Sequence, residues 1–500
     1  MNATFEQLRT RLEEISDLRK AGQLLSWDQQ TMMPPAGAGG RAEQLATLGR
    51  MAHELFVSPE TGRLLEELRP YEESLDPDSD EASLIRVSRR DFEKASRVPG
   101  DLRAELTRAA AQGYQVWLEA KAASDFGKFL PALERNVELV HRYVECFEPG
   151  EETYDVLLDD YERGAKTSEV RAAFAGLKEA LIPLIEEIGD EEGDDDVLEG
   201  DYPIEAQRRL SQEVVELFGY REGSWRLDPT VHPFASGGGS SDIRITTHYF
   251  ERNLESLFAT MHEYGHGLYE HQVDPALDRS PLGSGVSLGL HESQSRMWEN
   301  LVGRSRPFWR FLFPRVRELF SEQLGDVEAE AFYRAVNRVR PSLIRIHADE
   351  VTYNLHVILR FELEQEIVEG RVDLRELPEE WNRRMWEYLR VEVPNDAVGV
   401  LQDTHWSSGL IGYFPTYSLG NIMSVQIWER LKEDLPELEE GFERGEFAPL
   451  REWLGEHLHR HGRKFTPTET LERVVGGGLD AAPYLRYLRE KHGSAAAAQA

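Results

Sequence analysis

Apolar residues along this chain recur at three- and four-residue spacing almost from end to end, the pattern of amphipathic helices. The opening MNATFEQLRTRLEEISDLRK shows it, and Leu102–Ala122, Leu130–Phe147, Glu169–Ile188 and Val327–Val339 repeat it. Short Gly/Pro breaks separate the helices, which continue to Leu488. Strict alternation, the mark of a half-buried strand, is scarce. The best instance is Asp242–Thr247 (DIRITT), preceded by a Gly/Ser loop at Ser236–Ser241. The glycines at 237–239 read either as a mobile rim over a groove or as an ordinary flexible loop. Gly189–Asp201 (GDEEGDDDVLEGD) reads as a solvated acidic loop, because it lacks the ordered ligand spacing of a calcium loop. Neither an internal repeat nor a long linker is visible. The pattern therefore predicts one large, mainly α body over residues 1–492, with residues 493–500 as a disordered tail.

Composition narrows the function classes. The chain has 500 residues, 40% hydrophobic and 30% charged, enough for a sizeable core under a polar surface. No stretch approaches the roughly 20 apolar residues that span a bilayer. The N-terminus has no apolar segment of the signal-peptide kind. The single cysteine, Cys146, has no partner for an internal disulfide and is expected to be a small buried side chain. A cytoplasmic location fits these features. Acidic residues outnumber Lys plus Arg by 91 to 57, for a net charge of -34, and only nine of the cations are lysines. Such a surface repels nucleic acid and anionic membranes, which excludes both as partners. The charge reads as a solubility device or as adaptation to high salt, where screening relieves self-repulsion.

The chemistry centres on TMHEYGHGLYE, Thr260 to Glu270. Two histidines four residues apart lie on one helix face, one turn from each other, so His262 and His266 can reach one tetrahedral zinc. Glu263, beside the first histidine, can contact a water on the metal without being a ligand, the position of a general base. Leu254, Leu257, Phe258, Met261 and Leu268 supply the apolar stripe such a helix needs for packing. A catalytic zinc requires a third protein ligand and an open fourth position. The extended three-histidine motif would need Gly at 269 and His at 272, where the chain has Tyr269 and Gln272. Glu270 lies two turns from His262, too far along the helix to share its coordination sphere. The remaining arrangement takes a glutamate from a later helix. Ser287–Gly303 (SLGLHESQSRMWENLVG) offers Glu292, with His291 then pointing elsewhere. Glu299, seven residues on, is the competing ligand or an outer partner of a histidine.

HEYGH followed by His291–Gln294 (HESQ) resembles the thermostable carboxypeptidase Taq family of metallocarboxypeptidases. Further short motifs carry the resemblance in order along the chain. They are Trp27-Asp28-Gln29-Gln30-Thr31-Met32-Met33-Pro34, His232-Pro233-Phe234 and Asp242-Ile243-Arg244-Ile245-Thr246, then Ile344-Arg345 through Ala348-Asp349. Gly399 through Gln402-Asp403-Thr404-His405-Trp406 and Gly412-Tyr413-Phe414-Pro415-Thr416-Tyr417 complete the set. Gln30 stands where many relatives carry an acidic residue, a change of little consequence for catalysis. The resemblance implies a helical peptidase of the neurolysin and angiotensin-converting-enzyme type with a deep groove between two halves. It implies a homodimer of broad specificity that removes C-terminal residues from peptides with a free C-terminus. It makes His262, His266 and Glu292 the metal ligands and Glu263 the catalytic glutamate. The same ligands accept zinc, cobalt or manganese.

Other roles follow by residue type. A tetrahedral oxyanion needs a donor beyond the metal, and His405, Tyr413 and Tyr417 lie in the segment that looks equivalent to the one supplying it in related folds. Neither tyrosine is preferred, and aromatic packing is the alternative for each. A free C-terminal carboxylate is best held by arginine, with Arg345 first and Arg244 second; the alternative for either is a structural salt bridge. His232 either lines the groove or caps a turn. Trp27 is expected to pack structurally. His457, His459 and His461 alternate and read as a solvated surface. Two rival functions remain: an endopeptidase of the thimet or neurolysin kind, indifferent to the chain end, and a non-catalytic helical peptide-binding protein with structural zinc. Glu263 argues against the second, because a structural site has no need of a base.

Overall fold

A computed structural model describes residues 2–148, 150–189 and 197–493. Most of the predicted acidic loop and nearly all of the predicted tail lie outside the described residues. Helices account for nearly every element, with one three-stranded sheet. The chain packs as two compact units, each assembled from three separate segments. Unit 1 comprises Met1–Ser96, Gly193–Val336 and Ile427–Gly477; unit 2 comprises Arg97–Glu192, Asn337–Gln426 and Gly478–Ala500. Because each unit is discontinuous, no single linker marks a boundary in the sequence.

Unit 1 opens with the helix Ala3–Thr31, started by Asn2, whose side chain accepts from the backbone N–H groups of Thr4 and Phe5. Phe5, Leu8, Leu12 and Ile15 lie on one face and are buried with Ala52, Phe56, Leu64, Leu65, Leu84 and Ile85 of the next helices. Val273, Leu277 and Leu282 join the same cluster, anchoring the chain just beyond the helix that bears the two histidines. That histidine helix, Glu255–Gln272, buries Leu257, Phe258, Met261 and Leu268 as the apolar stripe requires.

The sheet lies against the histidine helix. Strands β1 (Trp225–Pro229), β2 (Ala235–Gly239) and β3 (Asp242–Thr247) run in the order β1-β3-β2. β3 pairs in parallel with β1, Trp225 opposite Ile243, and antiparallel with β2, Ala235 opposite Ile245. The alternation of DIRITT thus specifies β3 with its bounds. The Gly/Ser segment is a strand, not a loop or a mobile rim: β2 closes onto β3, with a register irregularity between Gly237 and Gly239. Its small residues hid the alternation.

Two glycines let the histidine helix touch a different element on each side. A Cβ at Gly265 would lie 2.4 Å from the Gln294 carbonyl oxygen and 2.6 Å from Ser295 Cα, so backbone meets backbone there. At Gly267 it would meet Trp225, Ile243 and Ile245 of the sheet at 2.8–2.9 Å. The element contacted at Gly265 is the glutamate helix, Leu288–Arg296, capped by Ser287, whose hydroxyl accepts from Leu290 N–H. It continues directly into a π-helical turn, Met297–Val302.

Unit 2 is built around Tyr353–Val368, a helix buried on almost every side. Such a helix leaves its polar residues no water, so each needs an internal partner. Arg360 pairs with Asp403, and Glu364 accepts from the Tyr154 hydroxyl, the Trp406 indole and Gly412 N–H. The helix Ala482–His492 docks through Lys491 on Glu350 at 2.7 Å and through Tyr484, whose hydroxyl accepts from Asn354.

Candidate metal centre and active-site residues

His262 and His266 turn their Nε2 atoms toward a single oxygen, Glu292 Oε2, at 3.6 and 3.5 Å. All three donor atoms lie within 4.8 Å of one another. Ligands about 2.0–2.1 Å from a tetrahedral zinc are separated by about 3.3 Å, so the spacing suits a divalent ion of that size. The donor set, two imidazoles and one carboxylate, also matches such an ion. The other oxygen of Glu292, Oε1, accepts from Arg296 Nε at 2.7 Å, which leaves Oε2 as the one turned to the histidines.

The outward nitrogens are held as well. His262 Nδ1 lies 2.9 Å from Glu299 Oε2, and Glu299 in turn meets Arg296 and Arg304. Glu299 sits in the π-helical turn, whose extra residue per turn re-aims side chains, a device common at functional sites. Glu299 Oε2 thus lies against the ring nitrogen of His262 that is turned away from Glu292. His266 Nδ1 lies 2.7 Å from His291 Nδ1, and His291 Nε2 lies 3.0 Å from Glu270 Oε1.

Glu263 Oε2 is buried without a hydrogen bond among the described residues. Burial, with the nearby Glu292 and Glu299 carboxylates, pushes its carboxyl up to about 7 against the opposing pull of His262. Burial pushes His266 down to about 4. At His262 burial acts the same way, but Glu292 and Glu299 outweigh it and hold the ring above its ordinary value. A dication would reverse that direction, since proton and metal compete for Nε2. Glu292 is held well below the carboxylate range, because Arg296 and the histidines outweigh its burial.

The remaining sequence-predicted residues fall in both units. In unit 1, Arg244 points from β3 to the side opposite Ile243 and Ile245, bonded through Nε and Nη2 to Asp242 and lying 4.4 Å over the buried ring of Trp27. Arg226, opposite Arg244 on β1, also lies over Trp27, at 4.8 Å. His232 is exposed between β1 and β2. In unit 2, Arg345 is 5% exposed, with Nε and Nη2 on Asp403 Oδ1 and Nη1 donating to the Tyr353 hydroxyl. His405 packs against Tyr413, Phe414 and Tyr417, with Nε2 3.2 Å from the Tyr417 hydroxyl and Nδ1 buried without a partner among the described residues. Burial and the two arginines push His405 down to about 4, against the pull of Asp403.

Residues 7–492 match the family described as carboxypeptidase Taq (M32) metallopeptidase. The chain belongs to that family. It is 42% identical to thermostable carboxypeptidase 1 of Thermus thermophilus, with 98% of each chain covered. The solved M32 carboxypeptidase of Deinococcus radiodurans superposes with a TM-score of 0.94 at 40% identity, covering 98% of this chain and 99% of that one. The carboxypeptidase structure from Pyrococcus furiosus gives 0.95 at 36% identity with the same coverage. The chain is accordingly a metallocarboxypeptidase, and the endopeptidase and non-catalytic readings are not favoured.

Several residues of this M32 chain escaped sequence reasoning. Glu270 and His291 were set aside as non-ligands, yet they back His266; Arg296 was not considered, yet it holds Glu292. The available signal was spacing: Glu270 follows His266 by four and Arg296 follows Glu292 by four, each on its neighbour's face. Two expectations are corrected. His459 is fully buried rather than solvated, with ring nitrogens 2.7 Å from Gln272 and 2.8 Å from Gln294. Cys146 is half-buried, its thiol directed at the Arg142 carbonyl.

Proposed function

We propose that the chain removes single residues from the free C-terminus of peptides, with a divalent ion, zinc foremost and cobalt or manganese as alternatives, held by His262, His266 and Glu292. The observation that carries this reading is the convergence of those three donors beside a buried glutamate whose Oε2 has no hydrogen-bond partner among the described residues. The ion, when bound, would polarise the scissile carbonyl and make water acidic enough to ionise near neutrality. Glu263 serves as base and acid. Its carboxylate, buried beside the three donors with Oε2 free of a protein hydrogen bond among the described residues, is placed to take a proton and return it to the leaving amine. Glu299 and His291 keep the two imidazoles turned, with Nδ1 engaged and Nε2 available.

In the same reading, oxyanion donation falls to His405, Tyr413 and Tyr417, and His232 contacts substrate. The terminal carboxylate falls to Arg345 first and Arg244 second. Arg345 is held by Asp403 and the Tyr353 hydroxyl, whereas Arg244, bonded to Asp242, points to the side of β3 opposite Ile243 and Ile245, the residues that meet the histidine helix at Gly267. Homodimer assembly and a cytoplasmic location belong to this reading and rest on the family resemblance and the single cysteine. No helix among the described residues is long and apolar enough to cross a membrane.

The test is a mass-spectrometric time course on an N-blocked peptide and its C-terminally amidated twin, with Glu263→Gln as the blank. A ladder losing one residue at a time from the free-ended peptide alone is the expected result. Internal cuts in both peptides, or a ladder that survives Glu263→Gln, would overturn the assignment.

A further inference from the structure

The two candidate ligand histidines are backed differently. His262 Nδ1 meets a carboxylate directly, that of Glu299, 2.9 Å away. His266 Nδ1 meets a second histidine, His291, and the carboxylate of Glu270 stands behind that ring. We propose that His291 and Glu270 are positioning residues that fix the ring orientation and tautomer of His266, so that metal retention depends on a glutamate outside the coordination sphere. The proposal rests on the metal-site reading above.

Proton placement has one consistent solution. Two ring nitrogens 2.7 Å apart share one hydrogen between them. A neutral His266 that offers Nε2 as a lone pair carries its proton on Nδ1 and donates it to His291 Nδ1. The proton of His291 is then on Nε2, which faces Glu270 Oε1 at 3.0 Å. Each donor has an acceptor, and the tautomer of His266 is set two residues away.

The surroundings hold this chain in register. Glu270 Oε1 also accepts from Gly285 N–H at 2.9 Å, so the loop entering the glutamate helix is tied to the same oxygen. A Cβ at Gly285 would sit 2.6 Å from His291 Cδ2, which shows how closely the backbone covers that ring. Tyr269 flanks His291 with ring centroids 5.1 Å apart. Glu270 lies one turn beyond His266, and His291 precedes Glu292. The relay therefore couples the two helices that supply the ligands, through side chains that do not touch the ion.

Zinc affinity by competition with a chromophoric chelator, and the visible spectrum of the cobalt-substituted protein, test this with His291→Ala, His291→Gln, Glu270→Ala and Glu270→Gln. Secondary structure and thermal unfolding of each metal-free variant are measured alongside. The alanine variants are expected to bind zinc about 10- to 100-fold more weakly, the usual effect of losing an outer-layer partner, with an altered cobalt spectrum. Both glutamine variants keep an acceptor oxygen at their position and are expected to recover most of the affinity. Variants that lose thermal stability but keep the parent affinity and spectrum would overturn the proposal, reducing the pair to a packing role. If the parent itself binds no zinc that His262→Ala abolishes, the metal-site reading fails first, and the relay with it.

Discussion

Gly265→Ala adds one methyl group where the histidine helix crosses the glutamate helix. The new Cβ would lie 2.4 Å from the Gln294 carbonyl oxygen and 2.6 Å from Ser295 Cα, whereas ordinary contact begins at 3.4 Å. Both obstructing atoms are backbone, so no rotamer change relieves them. The glutamate helix must retreat by the difference, close to 1.0 Å. Glu292 Oε2 already stands 3.6 and 3.5 Å from the two Nε2 atoms, near the upper end of what a tetrahedral ion bridges. An added ångström takes it out of range. Two stability effects oppose each other: alanine gains about 1 kcal/mol over glycine in a helix interior, and overpacking costs about 1–3 kcal/mol. Because the clash is with backbone, the upper end of the cost applies and the metal-free protein loses about 1–2 kcal/mol. Peptidase activity falls about 100-fold, as misplacement on this scale does elsewhere. Gly267→Ala is the control. Its Cβ would meet the ring edge of Trp225 and methyl groups of Ile243 and Ile245, side chains that can shift. It should lose less stability and keep metal affinity. Urea unfolding of the metal-free proteins, zinc titration and kcat/KM separate the two. A Gly265→Ala protein with unimpaired stability and zinc affinity, or a Gly267→Ala protein that loses zinc equally, would refute the crossing-distance argument.

Two further predictions concern unit 2. Burial raises the Glu364 carboxyl to about 7, above the value near 4.5 of an unburied glutamate, despite three donors that oppose the shift. Between those values the folded chain holds more protons than the unfolded one, so this group makes stability fall as pH rises through the window, by about 3 kcal/mol in all. Glu364→Gln should remove that slope and gain on the parent between pH 5 and pH 8 in urea unfolding; parallel pH dependences would refute it. Asp403→Asn leaves the buried guanidinium groups of Arg345 and Arg360 without their shared carboxylate and should cost about 3–5 kcal/mol. Arg345→Ala leaves Asp403 still paired with Arg360 and should cost less, and equal unfolding midpoints for the two variants would contradict this.

The histidine helix was legible because three independent requirements coincide in one short segment: ligand spacing, an adjacent base and an apolar stripe. β3 was legible because its alternation is clean through Ile245. Its partners were not. β1 (WRLDP) alternates only over the four residues Trp225–Asp228 before Pro229 ends it, and β2 is ASGGG, whose small residues carry no alternation. β2 is a strand because β3 is beside it. His459 shows the converse failure. Alternating histidines on a continuous helix would point in different directions, but the helix ends at His457 and the chain turns at Leu458 into a short 3-10 turn, His459–His461. The break redirects one histidine inward to Gln272 and Gln294, and no local residue pattern announces it.

Arginine roles were the least legible part of the site, and composition explains why. With 91 acidic residues against 57 Lys plus Arg, nearly every arginine has a carboxylate close by in sequence, so proximity to an acid discriminates nothing. Arg9, Arg50 and Arg63 make the same three- and four-residue pairs on the surface that Arg296 makes with Glu292 and Glu299 beside the histidines. The exposed pairs contribute little, because water and salt screen them. Arg296 differs only in burial. Its two carboxylates are shielded from solvent, and one of them turns its other oxygen toward both histidines. An identical sequence pattern is therefore a surface ornament in one helix and a constraint on ligand geometry in another. What distinguishes them is the packing around the side chains, which shields Arg296 and both its carboxylates from water and leaves the surface pairs in it.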